Sequence, residues 1–182
     1  GPATAKYREL GTVANLLVFN RLRALPTRNF SSGHFEGADR LAEEDLGPAR
    51  KIARSSCAAC TIGCEHLYAV PGGGGARLEY ESLFALGPLC GVDDPGAVLR
   101  AATLCDSLGL DTISTGGTIA FLMDSAERGW LSDDRQARVD QLLAADAPPQ
   151  ALGEALRDLA ETHEHLGHAE AARAALDRVV DL

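Results

Sequence analysis

Three cysteines lie within eight positions of the sequence, at Cys57, Cys60 and Cys64. Thiolates bind zinc, copper(I) and iron–sulfur clusters. A zinc site usually takes two separated cysteine pairs, whereas one tight triplet with a remote fourth ligand is typical of a 4Fe–4S cluster. Gly63 leaves room where the backbone must bend near such a centre, and His66 keeps a zinc site with three cysteines and one histidine as the alternative. The spacing therefore predicts a metal centre and favours iron–sulfur over zinc.

Four carboxylates are candidates for proton or cofactor chemistry. Alternation around Glu79 and Glu81 predicts that both lie on one face of a strand, where burial could prepare one for acid–base catalysis, although exposed strand carboxylates are commoner. Asp106 falls in the predicted last turn of a helix, where the helix dipole disfavours a negative charge. We therefore expect its carboxylate to accept a hydrogen bond from a donor outside the helix. Asp111 has a sufficient structural explanation as the N-cap of the next helix.

Basic side chains accompany these segments. Arg28 could bind a carboxylate or an anionic cofactor group through its planar guanidinium, or could equally tie down its own loop. Lys51 and Arg54 precede the cysteines, where positive charge would favour thiolates and offset the negative charge of a thiolate-bound cluster. The same two residues could equally belong to a solvated surface.

Composition excludes several classes of protein. The chain has 182 residues, enough for one domain or one domain with an appendage, and none of its apolar runs approaches membrane-spanning length. A formal net charge of −9 argues against binding to nucleic acid or to an anionic membrane. Five cysteines, with three of them clustered, argue against a disulfide framework and predict a reducing, cytoplasmic location. Gly1-Pro2 is expected to be a cloning scar.

Apolar periodicity predicts a mainly α fold, an irregular helical bundle of roughly five to seven helices with one small β-hairpin. We expect a cluster-binding domain over residues 3–131 and a C-terminal helical extension over 132–182 that resembles a single tetratricopeptide-like hairpin. Alternation on either side of four glycines places the β-hairpin at residues 66–70 and 77–81. The predicted helical segments are residues 7–25, 38–55 with a break near 47–48, 95–108, 113–128, 134–144 and a helical hairpin at 150–182.

These segments resemble, in their order along the chain, the middle domain of the tungsten-containing aldehyde ferredoxin oxidoreductase family. The resemblance covers roughly residues 7–130, and as a set the motifs are highly specific. They comprise Gly11-Thr12, the Leu-Pro-Thr-Arg-Asn-Phe run at 25–30, residues 33–36, the three clustered cysteines, residues 79–81 and 86–91, the D-x-x-G-L-D motif at 106–111 and the helix that follows it.

The resemblance implies a cofactor set and an activity. The three clustered cysteines would bind a 4Fe–4S cluster, and Asp106 and Asp111 would hydrogen-bond the pyranopterin of a tungsten or molybdenum cofactor. Arg28 is the third candidate cofactor-binding residue, and Glu81 would be the acid near the metal, with Glu79 beside it. An aldehyde would be oxidised to a carboxylic acid, and the electrons would pass through the cluster to a ferredoxin-like carrier.

Family members are longer than this chain, so the resemblance implies a truncated form whose missing domains a second copy or a partner chain supplies. The fourth cluster ligand would be Cys90, Cys105, an exogenous group or a partner residue, although the helical phase of Cys105 favours a core position. Two alternatives to an oxidoreductase or electron-transfer role stay open. One is a pterin-free cluster whose open iron acts as a Lewis acid in dehydration or isomerisation; the other is a zinc-stabilised binding module without enzymatic activity.

Overall fold

The computed structural model describes residues 2–44, 46, 50–70, 73–130 and 137. The chain divides into one compact unit that ends at Ala120 and a second that begins at Phe121. The prediction of a mainly α chain with a small antiparallel β element is confirmed in this general form. The elements are α1 (Ala5–Leu10), α2 (Asn15–Arg21), a π-helical turn (Arg40–Glu44), β1 (Lys51–Ser55), β2 (Glu65–Ala69), β3 (Gly75–Leu78), α3 (Tyr80–Leu86), α4 (Pro95–Leu108) and α5 (Thr112–Glu127).

The predicted single helix over residues 7–25 is instead two short helices separated by Gly11. Helix α1 ends there because Gly11 has φ 73° and ψ 179°, a backbone conformation essentially confined to glycine. Helix α2 then begins at Asn15, after one 3-10 turn. The chain approaches β2 closely at this point, since a Cβ on Gly11 would lie 2.9 Å from Nδ1 of His66. The break therefore has a tertiary cause that helical periodicity does not reveal.

The three strands form one antiparallel sheet in the order β1-β2-β3. The predicted hairpin is confirmed for β2 and β3, with His66 opposite Leu78, but its second strand ends at Leu78. The prediction of helix over residues 51–55 is wrong, because β1 pairs with β2 and places Arg54 opposite His66. Strand β1 lies at the edge of the sheet and is mostly exposed, so no alternating apolar pattern marks it in the sequence.

The chain passes from strand to helix directly after Leu78. Glu79 is extended (φ −118°, ψ 171°) and is the N-cap residue of α3, and Glu81 lies in the first helical turn. The prediction that both carboxylates share one face of a strand is therefore wrong. The backbone N–H of Tyr80 donates to Oγ1 of Thr12 at 2.9 Å, which fixes the start of α3 through a contact with the N-terminal region.

Helix α4 packs against β3 and α3 and supplies much of the core. Both ends of α4 are capped, since Oδ1 of Asp94 accepts from the N–H of Gly96 at 2.9 Å and Gly109 adopts the left-handed conformation with φ 68°. Each leucine fully buried in this core contributes about 2 kcal/mol. The core side chains that are at most 1% exposed include Leu16, Leu25, Leu41, Leu78, Leu83, Val98 and Leu99. No residue of the connection 56–64 belongs to this described core.

Several predictions fall on other parts of the chain. The helix over residues 134–144, apart from Ala137, and the tetratricopeptide-like hairpin over 150–182 lie outside the described residues, as does the break near 47–48. The domain boundary at residue 131 stays a prediction. Among the helices that the structure describes, none is long and apolar enough to cross a membrane.

Candidate metal centre and neighbouring carboxylates

The three clustered cysteines lie on the loop that joins β1 to β2, which we call the cysteine loop (residues 56–64). It opens with a β-turn in which the N–H of Cys60 donates to the carbonyl oxygen of Cys57 at 3.0 Å. Ala59, the third residue of this turn, has φ 59°, as a type II turn requires. The turn holds the first two cysteines at its two ends.

The loop then folds back over its own beginning. The N–H of Ile62 donates to Sγ of Cys60 at 3.5 Å, so one thiol already accepts a backbone hydrogen bond. Gly63 has φ 64°, and a Cβ at this position would lie 2.9 Å from Oγ of Ser56. The expectation that Gly63 admits a close bend beside the cysteines therefore has a geometric basis.

The pKa of Cys64 responds to burial and to charged neighbours. Burial raises the pKa of Cys64, and the charge of Glu79 and then those of Cys60 and Cys57 raise it further. All three cysteines are free thiols, with Cys57 exposed and the other two partly exposed. Soft, accessible and unbridged thiols fit a thiolate-bound centre. Within the described ranges, however, no three His, Cys, Asp or Glu side chains converge as a metal-binding group, so the three thiols share one loop without meeting at one point.

His66 belongs to a different environment from the thiols. Its side chain is fully buried, and Nε2 lies 3.1 Å from the carbonyl oxygen of Arg8, to which it donates. Burial lowers the pKa of His66, which favours the neutral ring. Its other nitrogen, Nδ1, faces Gly11 and has no hydrogen-bond partner among the described residues. In that part of the chain no metal-binding group of three side chains includes this ring, so the structure does not favour the zinc site with three cysteines and this histidine.

The two candidate catalytic glutamates differ in their surroundings. Burial raises the pKa of Glu79, and the charges of Glu81 and Glu65 raise it further, while Arg77 opposes them. Glu65 is buried and forms an ion pair with Nε of Arg77. Glu81 is exposed in the first turn of α3, where a negative charge is favourable. Of the two, Glu79 is the carboxyl that the fold prepares to hold a proton.

The two aspartates of the D-x-x-G-L-D motif flank the turn between α4 and α5. Asp106 is exposed in the last turn of α4, as expected. Asp111 caps α5, because its Oδ2 accepts from the N–H of Ser114 at 2.7 Å. The charges of both aspartates act on Cys105 and raise the pKa of its thiol, which burial raises most. The motif therefore places two carboxylates near the thiol of Cys105. Of the two, only Asp111 has a clear structural role, as the cap of α5.

The other two cysteines are core thiols. Cys90 is buried, its Sγ donates to the carbonyl oxygens of Ala85 at 3.3 Å and Gly116 at 3.4 Å, and burial raises its pKa to about 12. Cys105 is also buried, and its thiol forms a hydrogen bond with the side chain of Thr115. The expected core position of Cys105 is confirmed.

Arg28 lies on a loop with an unusual backbone. Arg28, Asn29 and Phe30 have φ values of 44°, 50° and 61°, so three consecutive non-glycine residues occupy the left-handed region. The N–H groups of Arg28 and Asn29 donate to the carbonyl oxygens of Pro88 and Leu89 at 3.0 and 2.9 Å, which joins two of the motif segments. The Arg28 guanidinium forms a 3.5 Å ion pair with Glu36, and both side chains are mostly exposed.

Sequence reasoning missed two features of the cysteine loop. Arg8 donates from Nε to the carbonyl oxygen of Ile62 at 3.4 Å, across 54 positions of sequence. Gly11 approaches the same segment, since its Cβ would lie 3.3 Å from the carbonyl oxygen of Cys64. Only the glycine, which stands inside a predicted helix, offered a signal in the sequence.

Comparison with known proteins gives consistent matches. A family model described as "Aldehyde ferredoxin oxidoreductase, domains 2 & 3" matches residues 1–179, which continues past the expected boundary at residue 131. A tungsten-containing aldehyde ferredoxin oxidoreductase of Thermococcus kodakarensis is 39% identical over 154 residues, and that of Pyrococcus furiosus is 35% identical over 154 residues. Each alignment covers 84% of this chain and 24% of the relative, so the chain spans about a quarter of the length of these relatives.

Proposed function

Because this chain belongs to the aldehyde ferredoxin oxidoreductase family, we propose that it is the cluster-carrying part of an oxidoreductase of that family. In this role it receives the electrons released when an aldehyde is oxidised to a carboxylic acid, and it passes them to a ferredoxin-like carrier. The overall reaction consumes one water and releases two protons and two electrons. Further domains, on the same or another polypeptide, complete the substrate site.

The cysteine loop is the observation that carries this proposal. Cys57, Cys60 and Cys64 are free thiols on one short loop, and this loop lies outside the described core. A bound 4Fe–4S cluster would supply a one-electron carrier, and a bound tungsten pyranopterin would supply the centre for aldehyde oxidation. The protein's own contribution is to hold the three thiolates and to donate a backbone N–H, from Ile62, to the sulfur of Cys60.

We assign the remaining candidate residues to contacts with the pterin cofactor. We assign Asp106 as an acceptor for pterin N–H donors, since it is exposed at a helix end that does not favour its charge. Asp111 holds the turn in place as the cap of α5 and presents a second carboxylate beside it. Arg28 binds an anionic cofactor group, because its exposed pair with Glu36 is of the weak surface kind that such a group can displace.

We assign proton transfer to the two glutamates at the start of α3. Glu79 lies close enough to Cys64 for its charge to act on the thiol, and its raised pKa suits a group that takes up a proton as electrons arrive. Glu81, one residue into the helix, is the more accessible carboxylate of the pair and is assigned as the acid nearer the metal. No contact in the described structure favours Lewis-acid dehydration or a purely structural zinc module.

Iron binding by single-cysteine variants tests the proposal. The chain is purified and loaded with iron and sulfide without oxygen, and iron content is measured for Cys57→Ser, Cys60→Ser and Cys64→Ser. Each variant is expected to lose most of the cluster, because each removes one thiolate ligand. Circular dichroism should show the folded helices in all three, because the cysteine loop lies outside the described core.

Cys90→Ala and Cys105→Ala are the matched controls, since they remove thiols that are buried and hydrogen-bonded in the core. Both should keep their iron, at the cost of some thermal stability. Full iron content in all three loop variants would contradict the proposal.

A further inference from the structure

Two arginines from different elements meet on the last part of the cysteine loop. Arg8, on α1, donates from Nε to the carbonyl oxygen of Ile62 at 3.4 Å. Arg54, on β1, lies over Gly63, where a Cβ would be 3.4 Å from its Nε. Ile62 and Gly63 are two of the three residues between Cys60 and Cys64. Both guanidinium groups therefore lie beside the segment that links two candidate ligands.

Helix α1 holds this segment at more than one point. The backbone carbonyl of Arg8 accepts the Nε2–H of His66, two residues beyond Cys64, at 3.1 Å. Gly11 packs against the ring of His66 and against the carbonyl oxygen of Cys64. Arg8 thus contacts this part of the chain through its backbone carbonyl as well as through its side chain.

Positive charge at this position has a direct consequence for a thiolate-bound cluster. Such a cluster is negatively charged and becomes more negative on reduction, so a nearby cation stabilises the reduced state more than the oxidised state. The chain carries a net charge of −9, and Arg8 and Arg54 place two cations beside the loop. These cations offset negative charge at the place where the electron would reside.

We infer that Arg8 and Arg54 are positioning residues for the cluster: they brace the segment between Cys60 and Cys64 from α1 and β1, and their charges raise the reduction potential of the cluster. The inference rests on the proposed function, because it requires that the cysteine loop binds the cluster.

Measurement of the reduction potential separates this role from simple bracing. The reconstituted chain is titrated anaerobically with a redox buffer while the cluster is followed by electron paramagnetic resonance. Arg8→Gln and Arg54→Gln keep side-chain N–H donors but lose the charge, so each should shift the midpoint to a more negative potential, and the double variant should shift it further. Arg8→Lys and Arg54→Lys keep the charge and should remain close to wild type.

Lys6→Gln is the matched control for charge, because it removes one cation from the same helix. The Lys6 ammonium donates to Oδ1 of Asn15 at 3.3 Å and lies over the ring of Tyr7, so the potential should not change. Hydrogen exchange of the metal-free chain tests the bracing separately: amides of residues 57–66 should exchange faster in Arg8→Ala than in wild type.

The outcomes distinguish a failure of this inference from a failure of the proposed function. A wild-type chain that takes up no iron contradicts the proposed function and this inference together. Glutamine variants that hold the cluster at the wild-type potential, or that shift it no more than Lys6→Gln does, overturn the inference and leave the proposed function standing.

Discussion

At the scale of single residues, the five cysteines divide by what surrounds them. Cys57, Cys60 and Cys64 stand on an exposed loop with one another and Glu79 as electrostatic neighbours, whereas Cys90 and Cys105 donate or share hydrogen bonds inside the core. Sequence spacing identified the triplet but left Cys90 and Cys105 as candidates for the fourth ligand, and only the helical phase of Cys105 favoured a core position. It could not assign Arg8, whose contact with the loop joins residues that are far apart along the chain.

The two aspartates of the D-x-x-G-L-D motif should differ in their effect on stability. Asp111→Ala removes the N-cap acceptor for Ser114 and should lower the free energy of unfolding by about 1 kcal/mol. Asp106→Ala should cause no loss, because a carboxylate in the last turn of α4 is unfavourable to the helix dipole. Chemical denaturation of the two variants checks this. An equal loss in Asp106→Ala would mean that Asp106 is structural and is not reserved for a cofactor.

The raised pKa of Glu79 predicts a pH dependence of stability. Because the folded state binds this proton more tightly than the unfolded chain does, ionised Glu79 opposes folding. The cost is absent below the unfolded pKa of about 4.3 and develops as pH rises through the folded pKa. The metal-free Glu79→Gln variant should therefore match wild type at low pH and be more stable than wild type at neutral pH.

Glu81→Gln is the control for this effect, since Glu81 is exposed in the first turn of α3. It removes a favourable interaction with the helix dipole and should be slightly less stable than wild type at neutral pH. Thermal unfolding across the pH range checks both variants. A Glu79→Gln variant that is less stable than wild type at neutral pH would show that the ionised carboxylate supports the fold.

At the scale of elements, prediction failed where tertiary contacts override local pattern. Residues 51–55 include Lys, Ala and Arg, which favour helices, and they form β1 only because β2 provides a partner. The alternation of Arg77 to Glu81 runs on past the end of β3, so it conceals the start of α3 at Tyr80. The caps of α4 were predictable because Asp94 and Gly109 act on their own helix.

Gly11, where α1 ends, is the boundary between helices that most directly affects the cysteine loop. Gly11→Ala should lower the free energy of unfolding by about 1–3 kcal/mol for its backbone conformation alone. It should also weaken iron binding, because a Cβ at this position would displace His66 and the carbonyl of Cys64. Chemical denaturation and iron content measure the two effects.

Gly117→Ala is the matched glycine control. Gly117 lies inside α5 with open space around a Cβ, so alanine should stabilise the helix by roughly 0.5–1 kcal/mol and leave iron binding unchanged. Wild-type stability and iron content in Gly11→Ala would show that this contact does not support the cysteine loop.

At the scale of the whole molecule, composition and the order of the motifs predicted more of the fold and of the site than hydrophobic periodicity did. The family, the general fold class and the position of the cysteine loop follow from motifs at fixed spacing, which survive changes in the surrounding helices. The arrangement of the site did not follow, because Arg8 and Gly11 at α1 and Glu79 at the start of α3 approach the loop from two distant parts of the sequence. The described core contains no residue of the cysteine loop, so we expect the cysteine variants to keep this core.

The central claim is that the cysteine loop binds iron and sulfide, and metal analysis of the wild-type chain tests it most directly. The chain is prepared anaerobically, and iron, zinc and acid-labile sulfide are measured against protein concentration. The account predicts about four iron and four sulfide per chain, with little zinc. One zinc per chain without iron or sulfide, or disulfide bonds among Cys57, Cys60 and Cys64 under reducing preparation, would contradict it.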